Sequence, residues 1–546
     1  MVSAPTNQQK ADQTVPLIAA AIRGGDYDRA AHLADTVLAL GLHHPIVYNA
    51  RALAFQQKGQ HREALTEFNR ARQLTPDDPH LLNAVGVCLI NLNQPLDAIR
   101  IFDDAIRADA GNAQAHYRKG WTLEMLGERA QAQASYERAI AIDANHADAL
   151  GSLAGMLATV GETAKSRAFA ERALKSSPHQ ASAIVALGIV DLAERKFREA
   201  ERRFQSVLDT APLTLRAAAV VRGLLGDAFD GQDRIDEAFA SYRFEKNEMR
   251  KLYAQNYASQ QRPRETADRI TAFVKTSAPV SWSRPADETR AGARPKTHVF
   301  LLGFARSGTT LLEQVFASHA DVVALEEKDL LAEPANALLT GDAGLRKLAT
   351  LTAKEIADYR DAYWRGVKAQ GLNVDGKVFI DKLPLNTLKL PLIARLFPEA
   401  KIIFALRDPR DVLLSCYRRH FDINAANFEF LTLDDAAPFY ASVMALAAAC
   451  RETLPLAQHV HRYEDMIQDF DKSIAAACEF VGIKWSPAMR DFHTQERLPV
   501  VSPSAAQIRR PLNADSLGAW RRYRDHLRPI LPQLRPWVER FGYPAE

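Results

Sequence analysis

The sequence is poor in cysteine and has no hydrophobic run long enough to span a membrane. Its 546 residues include four cysteines, which form neither a CxxC pair nor a closely spaced cysteine and histidine set. This spacing argues against a disulfide framework and against a structural zinc site. No window reaches ~18 uninterrupted apolar residues, and the polar N-terminus lacks a signal-peptide pattern. We therefore expect no membrane span, no bound metal and a cytoplasmic location.

The chain also lacks a strong excess of charge of either sign. Lys and Arg total 69 against 66 Asp and Glu, which gives a formal net charge of +3. Non-specific nucleic-acid binding requires a marked basic excess, so the composition predicts no nucleic-acid partner. Apolar residues make up 47% and charged residues 25%, as in globular proteins, which argues against wholesale disorder.

The first half of the chain contains a repeat with a period of 34 residues. Segments that begin at Pro45, Pro79 and Ala113 carry matching small, aromatic and turn residues at fixed offsets. A weaker copy precedes them near Ala11, two further copies follow, and the last begins near Ala219 after a four-residue slip. Small residues let two helices approach, an aromatic ring fills the hole beside the small residue, and Gly or Asn closes the turn. Each copy therefore predicts a helical hairpin.

One such hairpin cannot bury its apolar face alone, so the copies must stack on one another. The pattern resembles the tetratricopeptide repeat over residues 11–250, which implies an α-solenoid with a concave wall that binds extended peptide. We expect this concave wall to include Asn49, Leu53, Asn83, Val87, Tyr117, Trp121 and Glu124. The alternative for Tyr117 and Trp121 is that they pack between repeats and do not contact a peptide.

Residues 251–296 are predicted to form a connector. A helical extension continues to about Lys275, and a segment rich in Pro, Ser and Ala follows it. The composition then changes from alanine-rich helix to alternating strands and helices, so residues 297–546 are predicted to be a second domain.

This second domain begins with a strand, a glycine-bearing loop and a helix. The apolar run at residues 297–302 leads into Gly303-Phe-Ala-Arg-Ser-Gly-Thr-Thr310, and a helical pattern follows. Such a loop turns free backbone N–H groups and the positive end of a helix dipole toward an anion. The candidate anion ligands are Arg306, Ser307, Gly308, Thr309 and Thr310.

The loop differs from that of the nucleotide hydrolases at one position. Gly303 and Gly308 have the spacing of GxxxxGK[ST], but Thr309 stands where that motif has lysine. Because that lysine neutralises the transferred phosphate, its absence argues against ATP or GTP hydrolysis. A nucleotide kinase of the same loop class remains an alternative.

Two further strands are predicted at residues 377–382 and 400–406, separated by helices. The pattern indicates an α/β domain with a mostly parallel sheet, which binds ligands at the carboxyl ends of its strands. Arg407 directly follows the third predicted strand. If a helix starts near Asp411, Ser415 and Arg419 share one face and, with Arg407, could bind a second phosphate. The alternative is that Arg407 and Asp411 only form an ion pair.

Together these motifs resemble the sulfotransferase family. Residues 297–546 are similar to the tyrosylprotein sulfotransferases, and the whole chain resembles bacterial tetratricopeptide-repeat sulfotransferases. The resemblance implies 3′-phosphoadenosine 5′-phosphosulfate as donor and adenosine 3′,5′-bisphosphate as product. It implies that residues 306–310 hold the 5′-phosphosulfate and that Arg407, Ser415 and Arg419 hold the 3′-phosphate.

The resemblance also implies catalytic residues. Glu327, 21 residues after Arg306, matches the base that takes the acceptor proton, with the neighbouring Glu326 as a rival. Lys382 matches the lysine that assists the leaving phosphate, and Arg306 would spread charge in the transition state. These cations would make a metal unnecessary.

Further matches lie near the C-terminus. Tyr463 matches a tyrosine that contacts the nucleotide, and Ser504 matches a serine near the reacting group. A family lysine that contacts the nucleotide falls on Ala519 here, and Arg521 or Arg522 could replace it.

The stretch after the candidate base departs from the pattern of the tyrosylprotein sulfotransferases, which bears on the identity of the acceptor. The stretch 327–333 contains acidic residues that would repel an acidic peptide. We therefore expect a hydroxyl acceptor on a peptide, protein or glycan, with peptide tyrosine among the candidates. The repeat wall would recruit this acceptor or form a homodimer. A non-catalytic scaffold with a vestigial nucleotide-binding domain is the other alternative.

Overall fold

The chain divides into two compact units. The computed structural model describes residues 6–277, 295–494 and 512–545. One unit comprises Met1–Ala158 and Glu162–Val190, and the other comprises Thr159–Gly161 and Asp191–Glu546. The last helices of the repeat region therefore belong to the same unit as the C-terminal domain. The predicted domain boundaries at residues 250 and 296 stay a prediction.

The N-terminal region consists of paired helices, as the repeat pattern predicts. The predicted solenoid class is confirmed, and successive helices are joined by short turns. The helices are α1 (Asn7–Arg23), α2 (Tyr27–Ala39), α3 (Pro45–Gln57), α4 (His61–Leu74), α5 (Pro79–Asn91), α6 (Pro95–Ala108), α7 (Ala113–Met125), α8 (Arg129–Ile142), α9 (Ala147–Thr159), α10 (Thr163–Ser176), α11 (Ala181–Ala193), α12 (Phe197–Thr210), α13 (Leu215–Gly231), α14 (Ile235–Tyr257) and α15 (Pro263–Thr276).

The turn inside each hairpin contains one residue with positive φ. The residues are Gly25, Gly59, Asn93, Gly127, Gly161, Arg195 and Asp233. They recur every 34 residues until Arg195, and Asp233 follows after the four-residue slip seen in the sequence. Glycine adopts this conformation without a Cβ clash, whereas Arg195 and Asp233 adopt it at a local cost. The turn geometry thus persists where the expected Gly or Asn is missing.

Small residues and aromatic rings pack as the repeat pattern predicts. A Cβ atom added to Gly86 would lie 2.4 Å from Cε1 of Phe102. One added to Gly120 would lie 2.8 Å from the ring of Tyr136. Each ring therefore occupies the space that its partner glycine leaves open.

The two aromatic residues of the predicted wall differ in their surroundings. The ring of Tyr117 packs 6.0 Å from that of Tyr136 and 5.3 Å from that of His146, measured between centroids. Trp121 is 36% exposed. Tyr117 thus packs between repeats, and Trp121 remains available on the surface of the N-terminal unit.

A five-stranded parallel sheet forms the centre of the C-terminal domain. Its strands are β1 (Thr297–Gly303), β2 (Val322–Glu326), β3 (Val378–Lys382), β4 (Lys401–Leu406) and β5 (Ala457–Arg462). Their order is β2-β3-β1-β4-β5, and each neighbouring pair is parallel. The predicted α/β class with a mostly parallel sheet is confirmed, but the sequence interpretation did not predict β2 and β5.

Helices cover both faces of this sheet. Alternate residues of β1 point to opposite faces: Val299 and Leu301 join one buried cluster, and Phe300 and Leu302 join the other. Short 3-10 helices lie at residues 384–389, 429–431, 487–494 and 519–523. The α-helices are α16 (Thr309–Ala317), α17 (Ala332–Leu338), α18 (Gly341–Ala349), α19 (Ala353–Ala369), α20 (Leu390–Leu396), α21 (Pro409–Arg418), α22 (Ala425–Phe428), α23 (Leu433–Thr453), α24 (Tyr463–Gln468), α25 (Phe470–Val481), α26 (Arg524–Leu527) and α27 (Leu531–Arg540).

The cysteines are buried and free. Cys416, Cys450 and Cys478 lie in the C-terminal domain, and Cys88 lies in the repeats. Across residues 6–277, 295–494 and 512–545, His, Cys, Asp and Glu side chains form no cluster suited to a metal ion. In the same ranges, none of the helices combines the length and hydrophobicity that a membrane crossing needs.

Candidate active site

The carboxyl ends of the five strands meet at one edge of the sheet and bring the predicted site residues together. A cavity of about 430 Å³ opens at this edge. It lies within the unit that contains Asp191–Glu546. The predicted site residues that line it are Arg306, Gly308, Thr309, Thr310, Glu327, Arg407, Ser415, Arg419 and Tyr463.

The glycine-bearing loop follows β1 closely because its two glycines have no side chains. A Cβ on Gly303 would lie 2.6 Å from the carbonyl oxygen of Ala405 in β4. Gly308 has a φ of +90° and faces Tyr463, whose Cδ2 would lie 2.6 Å from an added Cβ. Helix α16 begins at the next residue, Thr309, so its free N–H groups point toward the cavity edge. Ser307 is buried and does not line the cavity.

The two predicted phosphate-binding segments, the loop at residues 306–310 and the segment that carries Arg407, Ser415 and Arg419, are hydrogen-bonded to each other. Nε of Arg306 donates a hydrogen bond of 3.0 Å to Oγ of Ser415. Nη1 of Arg407 donates to the carbonyl oxygen of Arg306 at 3.3 Å. The loop after β1 and the segment after β4 therefore form one continuous basic surface.

Arg407 is directed by its neighbours rather than by the predicted alternative partner, Asp411. Its Nη2 donates to the carbonyl of Ser516 at 2.6 Å, and its guanidinium lies 4.7 Å from the ring centroid of Tyr463. The Asp411 carboxylate instead accepts backbone N–H groups of Gly518 and Trp520, at 2.7 and 2.9 Å. The alternative of a simple Arg407–Asp411 pair is therefore wrong.

One donor atom of Arg407 supports the presence of an anion. Nε is buried and has no hydrogen-bond partner in the described parts of the chain. An unpaired buried donor is costly, and a phosphate oxygen would satisfy it. The residues present thus fit an anionic ligand.

The helix predicted near Asp411 is present, but it ends one residue before Arg419, so the predicted shared helical face of Ser415 and Arg419 is not formed. Helix α21 starts at Pro409, where the Asp408 side chain caps it, and ends at Arg418. Arg419 follows in an extended conformation, with φ −85° and ψ 142°. Ser415 therefore lies in the last turn, and Arg419 is the C-cap, whose N–H donates to the carbonyl of Ser415 at 3.3 Å. Both side chains still reach the cavity.

A buried lysine beneath the cavity wall is surrounded by three glutamates. Nζ of Lys382 lies 2.7 Å from Glu327, 3.3 Å from Glu313 and 3.5 Å from Glu326. The Lys382 side chain is fully buried, whereas that of Glu327 is 37% exposed. Lys382 does not itself line the cavity, but it also donates to Oγ1 of Thr310 at 3.4 Å. It therefore connects the loop to the candidate base.

The backbone of Glu327 is unusual for a non-glycine residue. Its φ is +46°, and its N–H donates to the carbonyl of Lys382 at 2.8 Å. At this left-handed turn at the end of β2, both the Glu326 and the Glu327 carboxylates contact Lys382, but only Glu327 lines the cavity. Such conformations are costly and persist mainly where neighbours fix them, often at functional sites.

Burial and neighbouring charges set the electrostatics of the site. Burial opposes the charge of Lys382, but Glu313 and the other two carboxylates outweigh it and raise the pKa of the lysine. Burial raises the pKa of Glu313 to about 7. Burial, with a contribution from Arg419, lowers the pKa of Arg306 to about 9. A bound anion would favour the charged form of this guanidinium.

The remaining predicted residues lie in the C-terminal segment, and one cavity residue, Asp230, was not predicted. Ser504 lies outside the described residues. Ala519 and Arg522 line the cavity, whereas Arg521 does not. Arg522 is hydrogen-bonded to Asp230, which also lines the cavity. Asp230 lies on α13, and no motif in the sequence marks it.

Comparisons with known proteins identify the class of both regions. Residues 298–487 match the sulfotransferase family. Residues 17–79, 89–128 and 113–146 match tetratricopeptide repeats. The chain thus contains tetratricopeptide repeats followed by a sulfotransferase-family domain.

Three curated relatives match this chain at low identity, and two of them are protein-tyrosine sulfotransferases. A putative protein-tyrosine sulfotransferase of Caenorhabditis briggsae is 27% identical over 41% of this chain and 80% of its own length. Protein-tyrosine sulfotransferase 1 of Danio rerio is 25% identical over 41% of this chain and 65% of its own length. An uncharacterized protein of Aquifex aeolicus is 25% identical over 46% of this chain, which spans about a third (34%) of that protein. The family match and the two protein-tyrosine sulfotransferases support sulfotransfer activity.

Proposed function

We propose that the protein transfers a sulfuryl group from 3′-phosphoadenosine 5′-phosphosulfate to a hydroxyl acceptor. The observation that carries this proposal is the convergence of Arg306, Arg407 and Arg419 on one cavity beside Glu327. Three guanidiniums and a helix N-terminus suit a ligand with two separate anionic groups. A carboxylate at the same cavity supplies a group that can accept the acceptor proton.

The donor would bind across the continuous basic surface. Arg306, Gly308, Thr309 and Thr310 would hold the 5′-phosphosulfate through side chains and backbone N–H groups, and the buried Ser307 would shape the loop. The 3′-phosphate would bind Arg407, Ser415 and Arg419, and Tyr463 would lie against the nucleotide. Arg522, which reaches the cavity, is the better replacement for the missing family lysine than Arg521. Ser504 keeps its predicted role near the reacting group.

The chemistry would be a displacement at sulfur. The acceptor oxygen forms a bond to sulfur while the bond from sulfur to the phosphate oxygen breaks, and Glu327 takes the acceptor proton. Lys382 and Arg306 would neutralise the negative charge that develops on the leaving phosphate, which yields adenosine 3′,5′-bisphosphate. The ammonium of Lys382 would exchange part of its contact with Glu327 for the leaving oxygen. These two cations supply the positive charge that a metal would otherwise provide.

The repeat region would select the acceptor. Its exposed Trp121 would contact a peptide, protein or glycan that carries the hydroxyl group, and peptide tyrosine is one candidate. Alternatively, the concave wall of the repeats would bind a second copy of the chain and form a homodimer. The cytoplasmic location stays a prediction.

Calorimetry with purified protein tests the donor. We expect adenosine 3′,5′-bisphosphate to bind more tightly than ADP and magnesium–ATP. A preference for magnesium–ATP would indicate a nucleotide kinase, and no binding of any of them would indicate a non-catalytic scaffold. Mass spectrometry of cell extract treated with enzyme and donor should then reveal acceptors that gain one sulfuryl group.

A further inference from the structure

Helix α14 carries a buried ion pair that contacts the segment after α21. The side chains of Lys246 and Glu245 are 3% and 1% exposed, and Nζ lies 3.4 Å from Oε1. Nζ of Lys246 also donates a 2.7 Å hydrogen bond to the carbonyl oxygen of Arg419. Oε1 of Glu245 lies 2.9 Å from Nδ1 of His420. The pair therefore holds two consecutive residues at the edge of the cavity.

Helix α13 contacts the side chain of the same arginine, Arg419. Oδ2 of Asp227 lies 3.4 Å from Nη1 of Arg419. Asp227 is itself fixed, because the hydroxyl of Tyr242 donates to its carboxylate at 2.7 Å. The last repeat hairpin, α13 with α14, thus contacts both the backbone and the guanidinium of Arg419.

The location of Arg419 makes this support necessary. The residue is the C-cap of α21: its N–H donates to the carbonyl of Ser415 at 3.3 Å, but its conformation is extended. The chain therefore leaves the helix at Arg419, and α21 does not hold the Arg419 carbonyl. A buried ion pair is usually no more stable than apolar residues of similar size, because both charges lose hydration. The pair on α14 is therefore poorly explained by stability alone, whereas its hydrogen bond to the Arg419 carbonyl gives it a geometric role.

We propose that the Lys246–Glu245 pair positions Arg419, so that the last repeat hairpin sets recognition of the donor's 3′-phosphate. This inference rests on the proposed function. Lys246 and Glu245 act through Arg419 and are positioning residues, since they do not line the cavity. The sulfotransferase-family domain would then depend on α13 and α14 for its preference between nucleotides.

The test compares two ligands on the full chain. The double variant Glu245→Gln/Lys246→Met removes both buried charges together, so that neither is left uncompensated. Its matched control is Glu248→Gln/Lys251→Met, which removes a 2.6 Å pair on the same helix whose lysine is 72% exposed. Calorimetry measures the affinity for adenosine 3′,5′-bisphosphate and for adenosine 5′-monophosphate, which lacks the 3′-phosphate.

We expect the double variant to lose about tenfold or more of its affinity for the bisphosphate, the scale of one charged hydrogen bond. Affinity for the monophosphate should change by less than about twofold, and the control should match wild type for both ligands. In an Arg419→Ala background, the double substitution should cause no further change in the ratio, because the two sites act through one residue.

An unchanged ratio of affinities in the folded double variant would overturn the inference and leave the proposed function intact. An equal loss for both ligands would show a merely structural role and would also overturn it. If wild type shows no preference for the bisphosphate, the proposed function itself fails. Should the double variant not fold, Glu245→Gln/Lys246→Gln also removes both charges together while keeping polar side chains, and it should still lower the ratio by about threefold; an unchanged ratio there overturns the inference.

Discussion

Oε1 of Glu327 lies 2.7 Å from Nζ of Lys382, with the carboxylate at the cavity and the ammonium buried beneath it. The candidate base and the candidate leaving-group cation are thus in direct contact. Adjacent β2 and β3 produce this contact, since Glu326 and Lys382 are register partners. The arrangement places the candidate base and the candidate leaving-group cation on the same side of the cavity.

Replacing Glu327 tests the base. Glu327→Gln keeps the side-chain shape but cannot accept the acceptor proton, so turnover should fall at least about a hundredfold. Binding of adenosine 3′,5′-bisphosphate, measured by calorimetry, should change little. Glu326→Gln is the matched control and should keep most of the turnover. The opposite result, with loss in Glu326→Gln and full activity in Glu327→Gln, would transfer the role to Glu326.

Adding a methyl group to Gly308 tests the loop. The Cβ of Gly308→Ala would approach Cδ2 of Tyr463 to 2.6 Å at a φ of +90°, so the ring or the loop must move. We expect at least about a tenfold loss of nucleotide affinity, because the loop N–H groups lose their alignment. Gly376→Ala controls for backbone strain, since Gly376 has a φ of +70° but open space around it. Similar nucleotide affinity in both variants would contradict the predicted role of the loop.

Asp381 gives a prediction for stability against pH. It is buried in β3, where the hydroxyl of Tyr363 donates to it at 2.7 Å, and burial raises its pKa from 3.8 to about 7. Between these values the native state holds a proton that the unfolded state releases, so the free energy of unfolding falls as pH rises through this window. The slope from one such group is at most about 1.4 kcal/mol per pH unit.

Asp381→Asn removes this titration. Thermal melts between pH 4.5 and 8 should show a smaller loss of Tm with rising pH in the variant than in wild type. The nearby His298, whose pKa burial lowers to about 3, has the opposite effect on stability but is present in both proteins. Parallel curves of Tm against pH would refute the assignment of this titration to Asp381.

Trp121 offers a test of acceptor recruitment by the repeats. Removing its exposed ring should weaken binding of an acceptor identified in the extract by about tenfold, the scale of an aromatic contact residue. Fluorescence anisotropy with the labelled acceptor measures this, and Leu74→Ala, another exposed apolar position at 46%, is the control. Equal binding by Trp121→Ala and wild type would remove the recruitment role. Tyr117 is unsuitable for this test because its ring packs between repeats.

Much of the fold could be predicted because its signals are local. The repeat period is visible since turn, small and aromatic residues recur at fixed spacing, and the positive-φ turn at Asp233 even follows the four-residue slip. The loop from Gly303 to Thr310 is likewise a continuous motif. Strands β2 and β5 were missed although β2 contains the apolar run Val322–Leu325; both strands are only partly buried, and β5 has no continuous apolar run.

The sequence by itself therefore determined the helical repeats, the parallel α/β class and the basic residues of the loop, because each depends on neighbours close along the chain. Only the tertiary structure decided which groups surround Lys382 and what holds Arg419. The contact between Lys246 and the carbonyl of Arg419 joins residues 173 positions apart. No periodicity or local motif encodes such a contact, since it exists only when the last repeat hairpin packs against the segment after α21.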